Sequence, residues 1–430
     1  MKVVILGGGV TGLTTAWNLL KKGYEVVVIE GEESVGGLAG GFREERWDWA
    51  LERTYHHIFA NDKEVIALAK EIGFDGLHFK RPKTASLMKV GDNYRIFPVD
   101  SPIDFLLLPQ LSPFSKLRAG ATLAFLKTAP FLPFFEKTTS VKFIKKTMGE
   151  EVWKNLWEQL FRKKFGKYAE YILASFMWAR IKKRTPVLGY PDNGFQYFCT
   201  FFSEKLKEKG CVVEVGTRVM GVDRRGSGFA ILVSKKTGEQ LEINADKIVS
   251  TLPFPITLHV GKKMLPQKYI YQQSKREYLW AVNLILGGSE KILKDTYWLN
   301  VGAKEIPIMG IIQHTNFVSR SHYGGEEICY CAWYVEGDSD LLKKSGEEIA
   351  SSIFPYLQKI NPSLRKPLRV IRLFKAPFAQ PICDREFLKI ERGFETPIKN
   401  FFVANLDMTY PFDRGTNYAV KLGNDVSQMV

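Results

Sequence analysis

The sequence predicts an α/β protein in which a parallel-sheet domain is interrupted by a mixed α+β domain carrying a helical insertion. Three observations predict it. The chain opens with strand, glycine turn, helix and strand. Strand-rich segments fill 210–252 and 276–335, and a buried strand with a final helix returns at the C-terminus. With 430 residues the chain suits two or three domains, and a return to the first pattern at its end makes them discontinuous.

In order, Lys2–Leu6 is a short β-branched run, Thr14–Lys22 has helical spacing, and Tyr24–Glu30 is a second apolar run. Residues 62–73 read as a helix with Val65, Ile66, Leu68, Ala69 and Ile72 on its apolar face. Residues 102–136 are apolar, with Lys116, Arg118 and Lys127 spaced through them, and prolines 109, 113, 130 and 133 cut them into short helices. Two readings stand for this segment: buried helices lining a large apolar pocket, or a monotopic membrane patch. Residues 137–184 continue helical with thirteen Lys/Arg against four Glu, the pattern of a solvated basic face. CVVEVGTRVMGVDRR and FAILVSKK form a hairpin arm from Gly210, and KIVSTLP a buried strand and turn. Residues 340–360 are helical, 401–405 a last buried strand, and a helix runs from about Asn417 to the end.

Composition excludes several classes. Apolar content of 45% and charged content of 25% are globular values. Five scattered cysteines, without a CxxC pair, oppose a disulfide framework and a structural zinc, and no metal site is expected. A net charge of +15 favours an anionic partner. No apolar run reaches the length of a spanning helix.

The first chemical motif is Gly7, Gly9 and Gly12 in GGGVTG, a GxGxxG between strand and helix. The first glycine permits the tight turn, the second lets backbone approach a pyrophosphate, and the third packs helix on strand. The helix N-terminus then offers free N–H groups and a positive dipole end. Glu30, at the end of the second strand, can accept hydrogen bonds from a ribose. Gly36 and Gly37 follow within ESVGGLAGGF, letting a second backbone segment press on the same ligand.

This set resembles the flavin-containing amine oxidase and protoporphyrinogen oxidase superfamily, whose N-terminal signature is GxGxxG, an acid, then a GG pair. The resemblance implies FAD rather than NAD, and a Rossmann-like FAD-binding domain over 1–85, 205–275 and 390–430. The substrate-binding domain would then comprise 86–204 and 276–389, with 102–184 mostly helical. It further implies that Val219 presents backbone to the adenine, and that the last helix, starting at Gly415, Thr416 and Asn417, points its N-terminus at the flavin. The family strand commonly ends in Gly then Asp or Glu, which holds the ribityl chain. Here Asn405-Leu406 stand there, with Asp407 or Asp413 as substitutes. Through the middle, LERTYHHIFAND, the stretch 156–184, GIIQHTNF and YPFDRGTNYAV resemble a bacterial and archaeal subgroup of FAD-dependent oxidoreductases. No cysteine is placed for a covalent link, so non-covalent FAD is expected.

For the reaction, His57 (beside His56) resembles a flavin-side stretch of UDP-galactopyranose mutase. His314, with Gln313, Thr315 and Asn316, ends a strand in a polar cluster that reads as a substrate wall or a hydrogen-bonded strand end. Arg162, Lys163, Lys164 and Arg180 could receive an anion, with Arg180 favoured on guanidinium geometry. His57, His314 and Arg180 are therefore the catalytic candidates. The reading is hydride transfer between an amphipathic or anionic small molecule and flavin. One rival is a mutase-like non-redox flavoenzyme on a nucleotide sugar. Another is a non-enzymatic nucleotide or nucleic-acid binding protein, although nucleic acid is not expected as a partner. The expected place is the cytoplasm, with the inner face of an anionic membrane as the surface a peripheral contact would use.

Overall fold

Lys2–Leu6 sits at the centre of a five-stranded sheet, flanked by Glu25–Ile29 and Lys247–Ser250, with Val212–Glu214 and Phe401–Val403 at the edges. All four pairings are parallel. The computed structural model describes all 430 residues. Parallel strands covered on both faces must be apolar throughout, and Val3 to Leu6 are fully buried.

On one side of the sheet lie the helices Val10–Lys21, Gly194–Glu208 and Thr416–Met429, which share a core with it. The antiparallel meander Thr217–Arg225, Gly228–Lys235 and Gln240–Ala245 packs with the other face through Val222, Phe229 and Ile231. The sequence reading placed Val212–Glu214 in the hairpin arm. It instead joins the parallel sheet beside Glu25–Ile29, and the arm has a third strand.

The second domain is a seven-stranded mixed sheet in the order Arg369–Pro381, Tyr278–Gly288, Glu327–Val335, Gly310–Gln313, Thr296–Val301, Lys83–Val90, Asn93–Pro98. Helix Gly346–Ile360 covers it, starting in a capping box between Ser345 and Glu348. Two domain limits shift. Lys83–Val90 belongs to this sheet, so the break expected at residue 85 falls inside a strand. Helix Gly194–Glu208 belongs with the first sheet, so that domain resumes before residue 205.

The insertion contains the helices Pro102–Leu106, Pro113–Thr128, Phe134–Lys137, Ser140–Thr147, Glu158–Phe165 and Ala174–Lys183. Proline opens the second of them at its first turn, where a missing N–H costs nothing. Lys163 fastens this layer to the sheet. Its ammonium donates to the carbonyls of Val301 (2.9 Å), Ala303 (2.7 Å), Ile306 (2.7 Å) and Ile308 (3.2 Å).

Candidate active site

Above the carboxyl ends of the parallel strands, backbone rather than side chains forms the surface. Gly7 has φ +106°, and a Cβ on Gly12 would stand 2.0 Å from the Gly7 carbonyl oxygen. Neither position admits a side chain. Helix Val10–Lys21 begins at Gly9 with no side-chain cap, so its leading N–H groups are unclaimed by side chains. Gly36 donates its N–H to the Gly8 carbonyl at 2.9 Å. Gly36 and Gly37 have φ of +128° and +56°, and a Cβ on Gly37 would reach 3.2 Å from the Gly9 Cα. The two glycine motifs therefore form one cradle.

Glu30 holds that cradle together. Its carboxylate accepts from the Gly8 N–H at 2.7 Å and the Glu32 N–H at 2.8 Å. Burial raises its pKa, opposed by those backbone donors. Each oxygen keeps a lone pair for a further donor. Beside it, Thr217 donates its N–H to the Glu30 carbonyl at 2.9 Å. This brings the strand holding Val219 alongside, with a bulge between Val219 and Gly221.

The last helix, Thr416–Met429, starts at Gly415, also without a side-chain cap. It crosses the first helix closely and is joined to it by an Asn18–Asn424 hydrogen bond of 2.8 Å. Thr416 is buried in its first turn. The Asn417 side chain does not cap its own helix. Its Oδ1 accepts the N–H groups of Glu64 (2.9 Å) and Val65 (3.3 Å), capping helix Lys63–Glu71 instead. Neither substitute carboxylate is free. Asp407 accepts from Tyr278 Oη at 2.6 Å and lies 3.6 Å from Arg276. Asp413 lies 3.0 Å from Lys164 Nζ and 4.0 Å from Arg180 Nη1.

The Asp413 cluster is a half-buried concentration of charge. Burial alone would raise the Asp413 carboxyl, but Lys164 and Arg180 outweigh it and hold the pKa below its ordinary value. Burial pushes Lys164 down to about 8. Burial also pushes Arg184, which feels Arg180, down to about 10. Arg414 donates to the Ala379 carbonyl and to Gln380 Oε1, both at 2.8 Å, and to Tyr334 Oη. Lys164 and Arg180 thus face one carboxylate, and Arg180 in turn is felt by Arg414 and Arg184, an excess of positive charge that favours an anion. The Tyr55 hydroxyl feels Arg414, Arg180 and Asp413, while its ring packs edge-on against Trp298 at 4.8 Å. Tyr55 thereby links the cationic set to the seven-stranded sheet. A small cavity borders the set, lined by Ser175, Phe176, Gln380, Phe412, Asp413 and Arg414.

The other candidates divide. Arg180 joins the cationic set, with its side chain one-third exposed. Arg162 does not, pairing on the surface with Glu158 at 3.0 Å, and Lys163 is consumed by its four carbonyls. His57 is enclosed by Phe59, Tyr297 and Trp298, with Nδ1 3.4 Å from Tyr297 Oη. Burial pushes His57 down to about 3 and His56 to about 4, so both are neutral near pH 7. His314 is not on a substrate wall. It is 2% exposed, its Nε2 stands 2.7 Å from Tyr323 Oη, and burial pushes it down to about 3. Its neighbours are spent on structure as well. Gln313 Oε1 accepts from Ile292 and Leu293, Thr315 donates to Glu327, and Asn316 donates to Leu293 and Thr296.

Glu52 was missed in the sequence. It is 1% exposed and accepts from Tyr190 Oη at 2.8 and 2.9 Å and from the Phe195 N–H at 2.9 Å. No cation balances it, and burial pushes its pKa up to about 7. Arg414 and Arg184 were also missed; only their place in the fold reveals them.

The sequence model of the family described as flavin containing amine oxidoreductase matches residues 10–426. Zeta-carotene desaturase of Arabidopsis thaliana is 31% identical over 132 residues, which are 29% of this chain and 24% of that protein. The chain therefore matches about a quarter of that relative's length. An oxidoreductase from Methanosarcina mazei superposes with a TM-score of 0.78 at 17% identity, covering 100% of both chains. Reduced UDP-galactopyranose mutase superposes with a TM-score of 0.70 at 15% identity, covering 99% of this chain and 93% of that one. At these identities the likeness is one of fold.

Proposed function

The chain belongs to the flavin-containing amine oxidoreductase family, and from that premise we propose that it is an FAD-dependent oxidoreductase acting on an amphipathic or anionic small molecule. The observation that carries the reading is the glycine cradle. A Cβ at Gly12 would collide with the Gly7 carbonyl and one at Gly37 would press on the Gly9 Cα, so glycine is what lets these backbones close up, and two helices begin uncapped, at Gly9 and Gly415. Such a surface fits a ligand with a pyrophosphate and a long polar body.

Gly7, Gly9, Gly12, Gly36 and Gly37 would hold the pyrophosphate side, Glu30 the ribose, and the Val219 backbone the adenine. Gly415 and Thr416 would face the ring system. The flavin supplies reversible hydride acceptance. The chain's own residues do the rest. Lys164, Arg180 and Arg414 fix an anionic group, with Asp413 orienting Lys164 and Arg180, and the Ala379 carbonyl and Gln380 Oε1 orienting Arg414. Neutral His57 and the aromatic wall of Tyr55 and Trp298 exclude water from the reacting bond. Hydride would leave a C–N or C–C unit of the substrate while a proton leaves its other atom. The desaturase name of the plant relatives supports the C–C case. The absence of a cysteine near the cradle with a lowered pKa supports non-covalent binding: burial pushes Cys199 and Cys211 up to about 12.

The test is anaerobic screening of amines and unsaturated amphiphiles by loss of flavin absorbance. Bleaching by one class supports hydride transfer. Ring contraction of UDP-galactopyranose by the dithionite-reduced protein, with no bleaching by any substrate, would replace it with the mutase reading.

A further inference from the structure

The helical insertion turns its more apolar side outward. In helix Pro113–Thr128 the buried positions are Ser115, Ala119, Thr122 and Leu126. The opposite face shows Phe114 68%, Leu117 72% and Phe125 42% exposed. Helix Pro102–Leu106 buries no residue at all. Ile103, Leu106 and Leu107 stand 67%, 54% and 72% exposed. A helix facing water has the reverse arrangement. The two helices touch, so these exposed apolar side chains stand on adjacent elements.

Charge selects what covers that surface. No acidic residue occurs between Asp104 and Glu136, while Lys116, Arg118 and Lys127 do. Helix Ser140–Thr147 lies alongside, Arg118 donating to the Lys146 carbonyl at 2.9 Å. That helix adds exposed Lys142, Lys145 and Lys146. A second copy would bring the same cations against these and be repelled. The carboxylates nearby are engaged, Asp104 in the capping box of its own helix, Glu151 by Ser112 and Glu150 by Lys145, and the apolar face with its mainly cationic border suits the headgroup and acyl boundary of a negatively charged bilayer.

We propose that this edge docks on an anionic membrane, with Phe114, Leu117, Leu107 and Ile103 entering the acyl boundary. No helix of the chain is long and apolar enough to cross a membrane, so the contact lies in the plane. The docking face stands one helix from the candidate site. Lys127, on the same helix, donates to the Lys182 carbonyl at 3.2 Å, next to the turn that carries Arg180.

The test is flotation of the full flavin-loaded chain with phosphatidylglycerol-containing vesicles and with pure phosphatidylcholine vesicles, at low and high salt. The wild type should float with the anionic vesicles at low salt and remain partly bound at high salt. F114E/L117E, at two exposed positions, should keep its melting temperature and flavin spectrum while binding falls about tenfold or more. Failure of the wild type to float on anionic vesicles at low salt would overturn the proposal. Equal flotation of the double variant would do so too. So would a wild-type dimer in sedimentation that the variant splits, which would assign the face to a second copy. The flavin spectrum is read independently, so loss of docking and loss of the redox reading are distinguishable.

Discussion

Gly423 lies against Thr14: a Cβ on Gly423 would stand 2.6 Å from the Thr14 Cβ and 2.8 Å from the Thr11 carbonyl oxygen. The C-terminal helix reaches the first βαβ unit only because position 423 has no side chain. Two helices with uncapped starts, more than 400 residues apart in the chain, thereby pack side by side. Gly423→Val should separate the helices. Overpacking of this kind costs about 1–3 kcal/mol. The expected result is a lower melting temperature together with a reduced flavin-to-protein ratio, read from thermal denaturation and absorbance.

Gly12→Ala makes a narrower demand. Its Cβ would overlap the Gly7 carbonyl oxygen at 2.0 Å, at the turn and not in the core. The variant should retain its circular dichroism spectrum and purify with little or no flavin. Full flavin content in Gly12→Ala would remove the GxGxxG turn from cofactor binding.

Glu52 gives a stability signature with a definite sign. Its folded pKa is raised from 4.5 to about 7 by burial. Its contribution is therefore fully present below pH 4.5 and is lost as pH rises through 7, a fall of roughly 3 kcal/mol. Glu52→Gln keeps an acceptor for Tyr190 and the Phe195 N–H but cannot ionise. Urea unfolding from pH 4.5 to 8 should show the wild type losing stability relative to Glu52→Gln. Parallel curves would show that Glu52 does not titrate in this range.

Arg180 and Lys164 should govern anion recognition. Arg180→Ala should weaken a carboxylate probe, titrated by flavin fluorescence, by about tenfold, the loss of one charge-assisted contact. Lys164→Met should also raise the Asp413 pKa, because Lys164 is the nearer of the two cations that hold it down. Unchanged affinity in both variants would place the substrate anion elsewhere.

The cradle was legible because glycine spacing reports backbone conformation directly: Gly7, Gly36 and Gly37 all have positive φ. The pairing of Lys83–Val90 with Thr296–Val301 was not legible, since Ala85 meets Leu299 across more than two hundred residues. Helix Gly194–Glu208 was hidden because Tyr197 and Phe201 put aromatic residues on the side away from the buried Phe195, Phe198 and Phe202, which blurs its apolar period in the sequence. For His314 the sequence left two readings open for a different reason, and the hydrogen-bonded one holds. A polar cluster at a strand end has the same sequence signature whether it faces a ligand or, as here, closes on Tyr323 inside the protein. Asn417 marked the correct helix start, but its side chain serves a neighbouring helix, which only the tertiary fold could reveal.

The most direct measurement is the visible absorbance spectrum of the purified protein, before and after heat denaturation, with chromatography of the released chromophore. The account predicts flavin bands that pass into the supernatant on denaturation and elute as FAD. A colourless protein that retains no added FAD would contradict it, leaving the glycine cradle without its ligand.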